Sequence, residues 1–336
     1  LLTLEKSKLL SDYEVKSFYS LTFEGAKFLV TRGDKNFIAK LVKKKYSFYS
    51  TCEDLKKIHD NEEKKLNYVS KLLGLEEHVA VVTREKETNY CVLIFEAIDT
   101  DLSEGKGAIL EKKEDPETKA RNSERLYRFF GKLILAFAEL NQKGRILYGD
   151  IRPQSIMVRK TNVVNESEFD IEPEIMDFDM MLLRRHDVSI WDKLIRYRPE
   201  YRCPELKENF EIDEKSDGKY FRQWSIETNY SEDFVEDVYA LGKTIKNVLA
   251  AQQKYLDSSF YGISYLGSLV YKMTMNRYDT SGLISKKLRP NMKSALSSFL
   301  YVMKDCNKCQ QKALNQAFFT KACASLEINP DFKKVI

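Results

Sequence analysis

Glycine is scarce in this sequence: only 13 of the 336 residues are Gly, about 4% against the roughly 7% of an average chain. No apolar run approaches the roughly 18 residues of a membrane span, and the opening LLTLEKSKLL lacks the charged-then-apolar order of a signal peptide. The two signs of charge are nearly balanced, with 55 Lys and Arg against 51 Asp and Glu. They also alternate along the chain, as in EEKK at 62–65, so there is no acidic or basic tail. These absences predict a protein without a membrane span and without a nucleic-acid partner.

Cysteine is too sparse for a disulfide scaffold, with 6 residues in the chain, and this predicts a reducing, cytoplasmic location. Cys306 and Cys309 form a C-x-x-C pair, but no second pair stands at zinc-ribbon spacing. Two interpretations of this pair stay open. It is either two free thiols at a helical end or a redox-sensitive pair or metal site.

Apolar residues are plentiful, with 43% hydrophobic and 12% aromatic residues, which is enough for a buried core and excludes wholesale disorder. At roughly 100 to 200 residues per domain, the length fits two core units or one large domain with two lobes. No internal repeat or Pro/Gly/Ser-rich linker divides the chain.

The first hundred residues are rich in strand-forming runs, at 17–23, 26–32, 36–42, 79–84 and 90–98. Between the third and fourth runs, residues 51–73 carry apolar side chains at helical spacing, namely Ile58, Leu66, Val69 and Leu73. Glu62 lies on that apolar stripe, where a carboxylate needs a cation partner. This part of the chain therefore predicts a five-stranded sheet with one helix.

From residue 100 the pattern becomes helical. A stripe of large apolar residues predicts a long helix over 122–143, and a second stripe predicts another helix around 240–249. Together the two halves predict an α+β chain, in which a small β lobe is followed by a larger, mainly α-helical lobe.

Short motifs in the larger lobe resemble those of the eukaryotic protein kinase superfamily. YGDIRPQS at 148–155 is similar to the catalytic-loop pattern H-R-D-x-K-P-x-N, DFD at 177–179 to D-F-G, and CPE at 203–205 to A-P-E. DVYALG at 237–242 is similar to D-V-W-S-L-G, and upstream FIAK at 37–40 is similar to V-A-I-K. Each fragment alone is weak, but their order and spacing together indicate the family. The resemblance implies a bilobal fold with an N-lobe over 1–96, a hinge over 97–101 and a C-lobe over 102–336.

The resemblance also implies a set of roles. Nucleotide-binding positions would be Lys40, Glu62, Glu96, Ile98, Ser155 and Asp177. Lys40, paired with Glu62, would hold phosphates, Asp177 would ligate a divalent ion, and Asp150 would accept the proton of a substrate hydroxyl. Two further residues would be structural: Asp237 would anchor the catalytic loop and Glu205 would pair with a late arginine. Arg289 fits that arginine in one alignment, while a rival alignment places Cys309 there and removes the pair.

Departures from the family pattern weigh against catalysis. Ser155 stands where the family has an Asn for a second metal, Gly149 replaces the Arg of H-R-D, and Asp179 replaces the Gly of D-F-G. No G-x-G-x-x-G lies between the first two strands, where only Gly25 is found.

The sequence thus most resembles a divergent pseudokinase without a Gly-rich loop. Such a protein is expected to bind ATP with weak or dispensable Mg²⁺, and to act as a signalling scaffold or allosteric partner of other proteins. An alternative is an atypical active Ser/Thr kinase that uses Asp150 and one ion at Asp177. A third hypothesis is that the protein is a structural helper domain that binds no nucleotide.

Overall fold

The computed structural model describes residues 7–21, 25–43, 52–60, 66–82, 87–98, 100–103, 110–161, 169–176, 178, 182–183, 198–204, 234–275, 289–305 and 313–330. Within these residues the chain forms the predicted α+β arrangement, in which an antiparallel sheet is followed by a mainly helical lobe. None of the helices in the described segments is long and apolar enough to cross a membrane.

The N-terminal part is built on a five-stranded antiparallel sheet with the order β1-β2-β3-β5-β4. Its strands are β1 (Glu14–Leu21), β2 (Gly25–Arg32), β3 (Lys35–Lys43), β4 (Leu72–Val82) and β5 (Glu87–Glu96). The first three form a meander with short connections, as the sequence predicts. Only three residues, 22–24, join β1 to β2, and Leu21 is already paired with Ala26.

The two faces of this sheet bury different clusters, because side chains alternate along each strand. On the outer face, Phe37, Ala39 and Leu41 of β3 pack in a cluster that includes Leu10. On the inner face, Ile38 and Val42 join the main core, which continues into the larger lobe. The inner face of β3 therefore looks toward the rest of the molecule.

Helix α1 (Cys52–Asp60) is shorter than the sequence predicts. The expected helix over 51–73 is wrong at its C-terminal end, because residues 66–71 are irregular and β4 begins at Leu72, opposite Phe95. Tyr68 has φ of 62°, a left-handed conformation that a right-handed helix does not contain. The apolar residues after Leu66 keep the helical period by coincidence, since Val69 forms a bridge with Ile175 and Leu73 lies exposed in β4.

A disulfide between Cys52 and Cys91 attaches the start of α1 to β5. Their Cα atoms are 6.0 Å apart, within the usual range for such a bond, and both residues are buried. The sparse cysteines lead to the prediction of a reducing location without a disulfide scaffold, and they give no hint of the Cys52–Cys91 bridge. The predicted cytoplasmic location stays a prediction.

The larger lobe surrounds one long helix. Its elements are α2 (Pro116–Gln142), α3 (Val235–Gln252), α4 (Tyr261–Met273), α5 (Met292–Asp305) and α6 (Ala313–Ser325), with the short strands β6 (Thr100–Asp101), β7 (Ile146–Leu147), β8 (Ile156–Thr161), β9 (Asp170–Ile175) and β10 (Leu182–Leu183). Strands β6, β8 and β9 form one small sheet in the order β6-β8-β9, and β7 pairs with β10. The helices predicted over 122–143 and around 240–249 are confirmed as α2 and α3.

Helix α2 lies at the centre of the lobe, and local features of its sequence explain where it begins and how closely another helix packs on it. Asp115 caps it by accepting a hydrogen bond from the Thr118 N–H at 2.8 Å, and Pro116 occupies the first turn. Gly131 lets another helix approach closely, because a Cβ there would come within 2.5 Å of the Phe299 ring.

Buried charges join α2 to β9. Lys132 donates to Asp170 at 2.9 Å. Burial alone would raise the pKa of Asp170, but the cations Lys132 and Arg128 outweigh it and hold that pKa below its usual value. Asp170 therefore stays ionised at neutral pH and binds α2 to the small sheet.

Candidate functional site

The loop that resembles a kinase catalytic loop is held by one buried carboxylate. Asp237, in the first turn of α3, accepts hydrogen bonds from the Tyr148 N–H at 2.9 Å and from the Gly149 N–H at 3.1 Å. Asn141 of α2 also donates to Asp237, at 3.1 Å. The carboxylate therefore fixes the backbone of the loop between two helices, which is the structural role that the resemblance implies for it.

Gly149 has a backbone conformation that explains its residue type. Its φ is 84°, a value that residues with a Cβ adopt only at a cost in conformational energy. At the same time its N–H points to Asp237. Glycine thus meets the geometry that Asp237 imposes on this position.

Both carboxylate oxygens of Asp150 face the side chain of Arg152. The Arg152 Nε–H lies 2.9 Å from Oδ1 and 3.1 Å from Oδ2. An arginine is permanently charged, and its planar guanidinium loses less entropy per hydrogen bond than a lysine ammonium does. A substrate hydroxyl that donates to Asp150 has to compete with this contact.

Ser155 turns away from the cleft. It is completely buried, and its hydroxyl lies 2.6 Å from the carbonyl oxygen of Asp150 and 2.9 Å from that of Arg152. The Arg152 N–H in turn donates to the hydroxyl oxygen at 3.2 Å. Ser155 therefore closes the loop on itself, and its hydroxyl is used by the backbone rather than presented to a metal ion or nucleotide.

An aromatic column runs from the sheet into the larger lobe, and it consists of Phe95, His59, Phe178, Tyr148 and Phe137. Successive ring centroids are 4.7, 5.1, 5.4 and 5.4 Å apart, each pair in an edge-to-face arrangement. His59 is fixed by a 2.7 Å hydrogen bond between its Nδ1 and the carbonyl oxygen of Ser70. The column connects α1, the residue after Asp177 and the catalytic loop, and the sequence motifs gave no reason to include His59 in it.

Lys40 lies in β3 on the inner face, between Ile38 and Val42 of the main core. Its register partner in β2 is Lys27, and its partner in β5 is Leu93. Sequence reasoning missed Lys27. The signal was present, however, because a hairpin turn at residues 33–34 places residues 27 and 40 opposite each other.

The hinge residues lie where the two sheets meet. Ile98 is buried, while Glu96 is exposed at the end of β5 and lies 3.3 Å from Nη1 of Arg159. The Leu102 N–H donates to the carbonyl oxygen of Ile156 at 2.8 Å, which attaches the chain after the hinge to the small sheet. Glu96 and Ile98, two positions apart in the chain, therefore differ in environment: Ile98 packs in the core and Glu96 faces solvent.

A second connection joins the lobes behind the hinge. Glu139 of α2 is fully buried and accepts two hydrogen bonds of 2.6 Å from Asn67, one from its backbone N–H and one from its side chain. Ser325, at the end of α6, also donates to Glu139. The Ser70 N–H donates to the Ile175 carbonyl oxygen at 3.0 Å, so the segment before β4 is tied to both α2 and β9.

Several predicted site residues lie outside the described part of the chain, namely Glu62, Asp177, Asp179, Glu205, Cys306 and Cys309. The proposed pair of Lys40 with Glu62, the metal at Asp177 and both interpretations of the C-x-x-C pair therefore stay predictions. Arg289, the predicted partner of Glu205, donates to the carbonyl oxygen of Met275 at 2.9 Å through Nε and lies over the Tyr239 ring.

Comparison with known proteins gives one clear result, at the level of the fold. The crystal structure of the BubR1 kinase domain is similar to this chain, with a TM-score of 0.50 and 12% sequence identity, over 94% of this chain and 85% of that one. No family model and no curated protein matches the sequence. The chain thus has a bilobal protein-kinase-like fold, and its activity has to be argued from its own residues.

Proposed function

We propose that the protein is a pseudokinase, which binds ATP in the cleft between its lobes and transfers phosphate poorly or not at all. The proposal rests on one observation, namely which groups of the catalytic loop are already engaged in contacts within the loop. The Asp150 carboxylate is engaged by Arg152 and the Ser155 hydroxyl is engaged by the loop backbone. Two polar groups of the loop are thus already in use.

Phosphoryl transfer depends mainly on positioning and on neutralising charge around the phosphates. Here the sequence between β1 and β2 lacks the G-x-G-x-x-G pattern whose backbone N–H groups approach the phosphates. Water then reaches the phosphates more easily, and the γ-phosphate is less constrained. Nucleotide binding remains supported by Lys40 on the inner face and by the hinge.

The proposed role is that of a scaffold or allosteric partner for other proteins. Val15 and Phe18, on the edge strand β1, are 48% and 55% exposed. Apolar side chains on a sheet edge offer surface that a protein partner would bury. The identity of such a partner is best sought by isolating complexes from cells.

A transfer assay tests the catalytic half of this proposal. Protein incubated with γ-labelled ATP, Mg²⁺ and a general acceptor protein is expected to label the acceptor at less than about 1% of the 1–100 s⁻¹ typical of protein kinases. Transfer within that range, lost in Asp150→Asn, would show instead an active kinase.

Thermal unfolding with ATP tests the binding half. A ligand that binds the folded state raises the unfolding temperature, so ATP is expected to raise it in the unaltered protein and not in Lys40→Met. Lys35→Met is the matched control, because Lys35 lies in the same strand but is exposed. A shift that survives in Lys40→Met would place the nucleotide elsewhere, and the lack of any shift would favour the helper domain.

A further inference from the structure

The disulfide between Cys52 and Cys91 lies beside Lys40, the residue proposed to contact the phosphates. In the register of β3 and β5, Lys40 is opposite Leu93. Cys91 lies two residues before Leu93, so it is a diagonal neighbour of Lys40 on the same face of the sheet. The covalent bond to α1 therefore leaves the sheet next to Lys40 and on the same side.

Helix α1 packs on this inner face with its apolar side. Leu55 and Ile58 of the helix are buried in the main core. The same core contains Ile38 and Val42, which precede and follow Lys40 on the inner face of β3. Lys40 itself is only 2% exposed. In the bonded state, the atoms of the protein thus cover the residue that a phosphate group has to reach.

The two ends of α1 are held in different ways. At the end of the helix, His59 forms a 2.7 Å hydrogen bond with the carbonyl oxygen of Ser70 and packs edge-to-face on Phe95. Contacts of this kind break and form again whenever a native protein opens locally. At the start of the helix, the bond from Cys52 to Cys91 stays intact during such opening. The bond therefore limits how far the first turn of α1 moves away from Lys40.

Reduction of the bond requires a dithiol, which supplies two electrons. One thiolate of the reductant attacks a sulfur of the bond and forms a mixed disulfide, which the second thiolate resolves. The two protons of the dithiol end on the sulfurs of Cys52 and Cys91, and the reductant leaves as a disulfide. Because these residues are only 4% and 2% exposed, the helix has to open before a thiolate reaches them. The opening that admits a reductant is thus the kind of motion that uncovers Lys40.

We infer that the Cys52–Cys91 bond is a redox switch of the proposed nucleotide site, which keeps the site closed over Lys40 when formed and lets it open when reduced. The inference rests on the proposed binding of ATP and adds its regulation. A reducing compartment keeps the protein in the binding state, and oxidation by an external disulfide turns binding off. The coupling is reciprocal, so ATP favours reduction of the bond by the same factor by which reduction favours ATP.

Calorimetric titration of the full chain with ATP and Mg²⁺ measures the first effect. One sample is treated with oxidised glutathione and the other with dithiothreitol, and alkylation of free thiols followed by mass spectrometry verifies the state of Cys52 and Cys91. The reduced protein is expected to bind ATP at least about fivefold more tightly, which is the lower end of ordinary coupling between two sites. Equal affinities, or tighter binding by the oxidised protein, would overturn the inference.

Substitutions assign the effect to this bond. Cys52→Ser and Cys91→Ser are each expected to bind ATP like the reduced protein after either treatment. Cys323→Ser is the matched control, because it removes a buried thiol outside the bond, and it is expected to keep the difference between the two treatments. Circular dichroism verifies that each variant is folded. A difference that persists in Cys52→Ser and Cys91→Ser would contradict the switch.

A redox titration measures the reciprocal effect. The unaltered protein is equilibrated in mixtures of reduced and oxidised glutathione, with and without saturating ATP, and the fraction of bonded Cys52 is determined. ATP is expected to shift the equilibrium toward the reduced form by the ratio of the two Kd values. No shift, or a shift toward the bonded form, would contradict the coupling.

The outcomes separate this inference from the proposed function. If ATP binds neither the oxidised nor the reduced protein, nucleotide binding itself is refuted and the switch with it. If ATP binds both forms equally, the protein still binds nucleotide but the bond does not regulate it. If the serine variants do not fold, the two states of the unaltered protein and the redox titration decide.

Discussion

At the scale of single residues, the departures from the kinase pattern have local physical reasons. Gly149 fits a left-handed backbone next to Asp237, and Ser155 forms hydrogen bonds with its own loop. Tyr148, which stands where the family has His, is fully buried between Phe137 and Phe178. These residues build a loop that is held by hydrogen bonds within it and by hydrogen bonds to Asp237 of α3.

Gly149→Ala is expected to lower the free energy of unfolding by about 1 to 2 kcal/mol, because a Cβ is disfavoured at a φ of 84°. Gly267→Ala provides the comparison, since Gly267 lies within α4 with open space where a Cβ would be. That change is expected to raise stability by up to about 1 kcal/mol. Denaturant unfolding of both variants measures the difference, and equal effects would contradict the role given to Gly149.

At the scale of elements, α1 is positioned by contacts at both of its ends. Cys52 is bonded to Cys91 at the start of the helix, and His59 packs on Phe95 near its end. Residues 91, 93 and 95 lie on the inner face of β5, and Leu93 between them is the register partner of Lys40. The helix thus lies over the part of the sheet that carries the proposed phosphate site.

Reduction of the Cys52–Cys91 bond is expected to lower the free energy of unfolding by about 2 to 4 kcal/mol, because the bond restricts the unfolded chain. The bond joins residues 39 positions apart. Thermal or denaturant unfolding with and without a reductant measures the change. Cys52→Ser is expected to lose the response, whereas Cys323→Ser, which removes a free buried thiol, keeps it. A response that persists in Cys52→Ser would assign it to other cysteines.

At the scale of the whole molecule, Glu139 connects three distant parts of the chain. Asn67 before β4, the helix α2 and Ser325 at the end of α6 meet at this one carboxylate. The hinge is therefore accompanied by a second, buried connection between the lobes. The relative position of the lobes depends on both.

Glu139→Gln is expected to lower the free energy of unfolding by about 1 to 3 kcal/mol, because an amide cannot accept all the hydrogen bonds that a buried carboxylate accepts. Amide hydrogen exchange should accelerate at Asn67 and Ser70. Glu117→Gln, on the same helix, is the control: its ion pair with Arg121 is exposed and is worth less than about 1 kcal/mol. Unchanged exchange at both amides would show that Glu139 does not hold the segment.

The sequence predicted the fold well where a local pattern decides the structure. Alternating apolar residues and short turns identify the meander of β1 to β3, and the apolar stripe of α2 identifies the central helix. The end of α1 was predicted wrongly because Leu66, Val69 and Leu73 satisfy a helical period, although Val69 bridges to Ile175 and Leu73 lies in β4.

Only those residues of the candidate site that belong to a sequence motif could be predicted. Motifs indicated Asp150, Lys40 and Asp237, but not the contacts that decide what those residues do. The Arg152 contact, the position of His59 and the hydrogen bonds to Glu139 depend on tertiary packing between segments far apart in sequence. The position of Lys27 was partly predictable, since strand register, once assigned, places it opposite Lys40.

The contacts of Glu139 also imply an order of folding. The strands β1 to β3 pair through adjacent turns, so they require only neighbouring residues and are expected to form early. Asn67 finds its acceptor only after α2 has been made, and Ser325 completes the same cluster from near the end of the chain. During synthesis the small lobe can therefore collapse first, whereas its docking on the larger lobe is completed only when α6 has emerged.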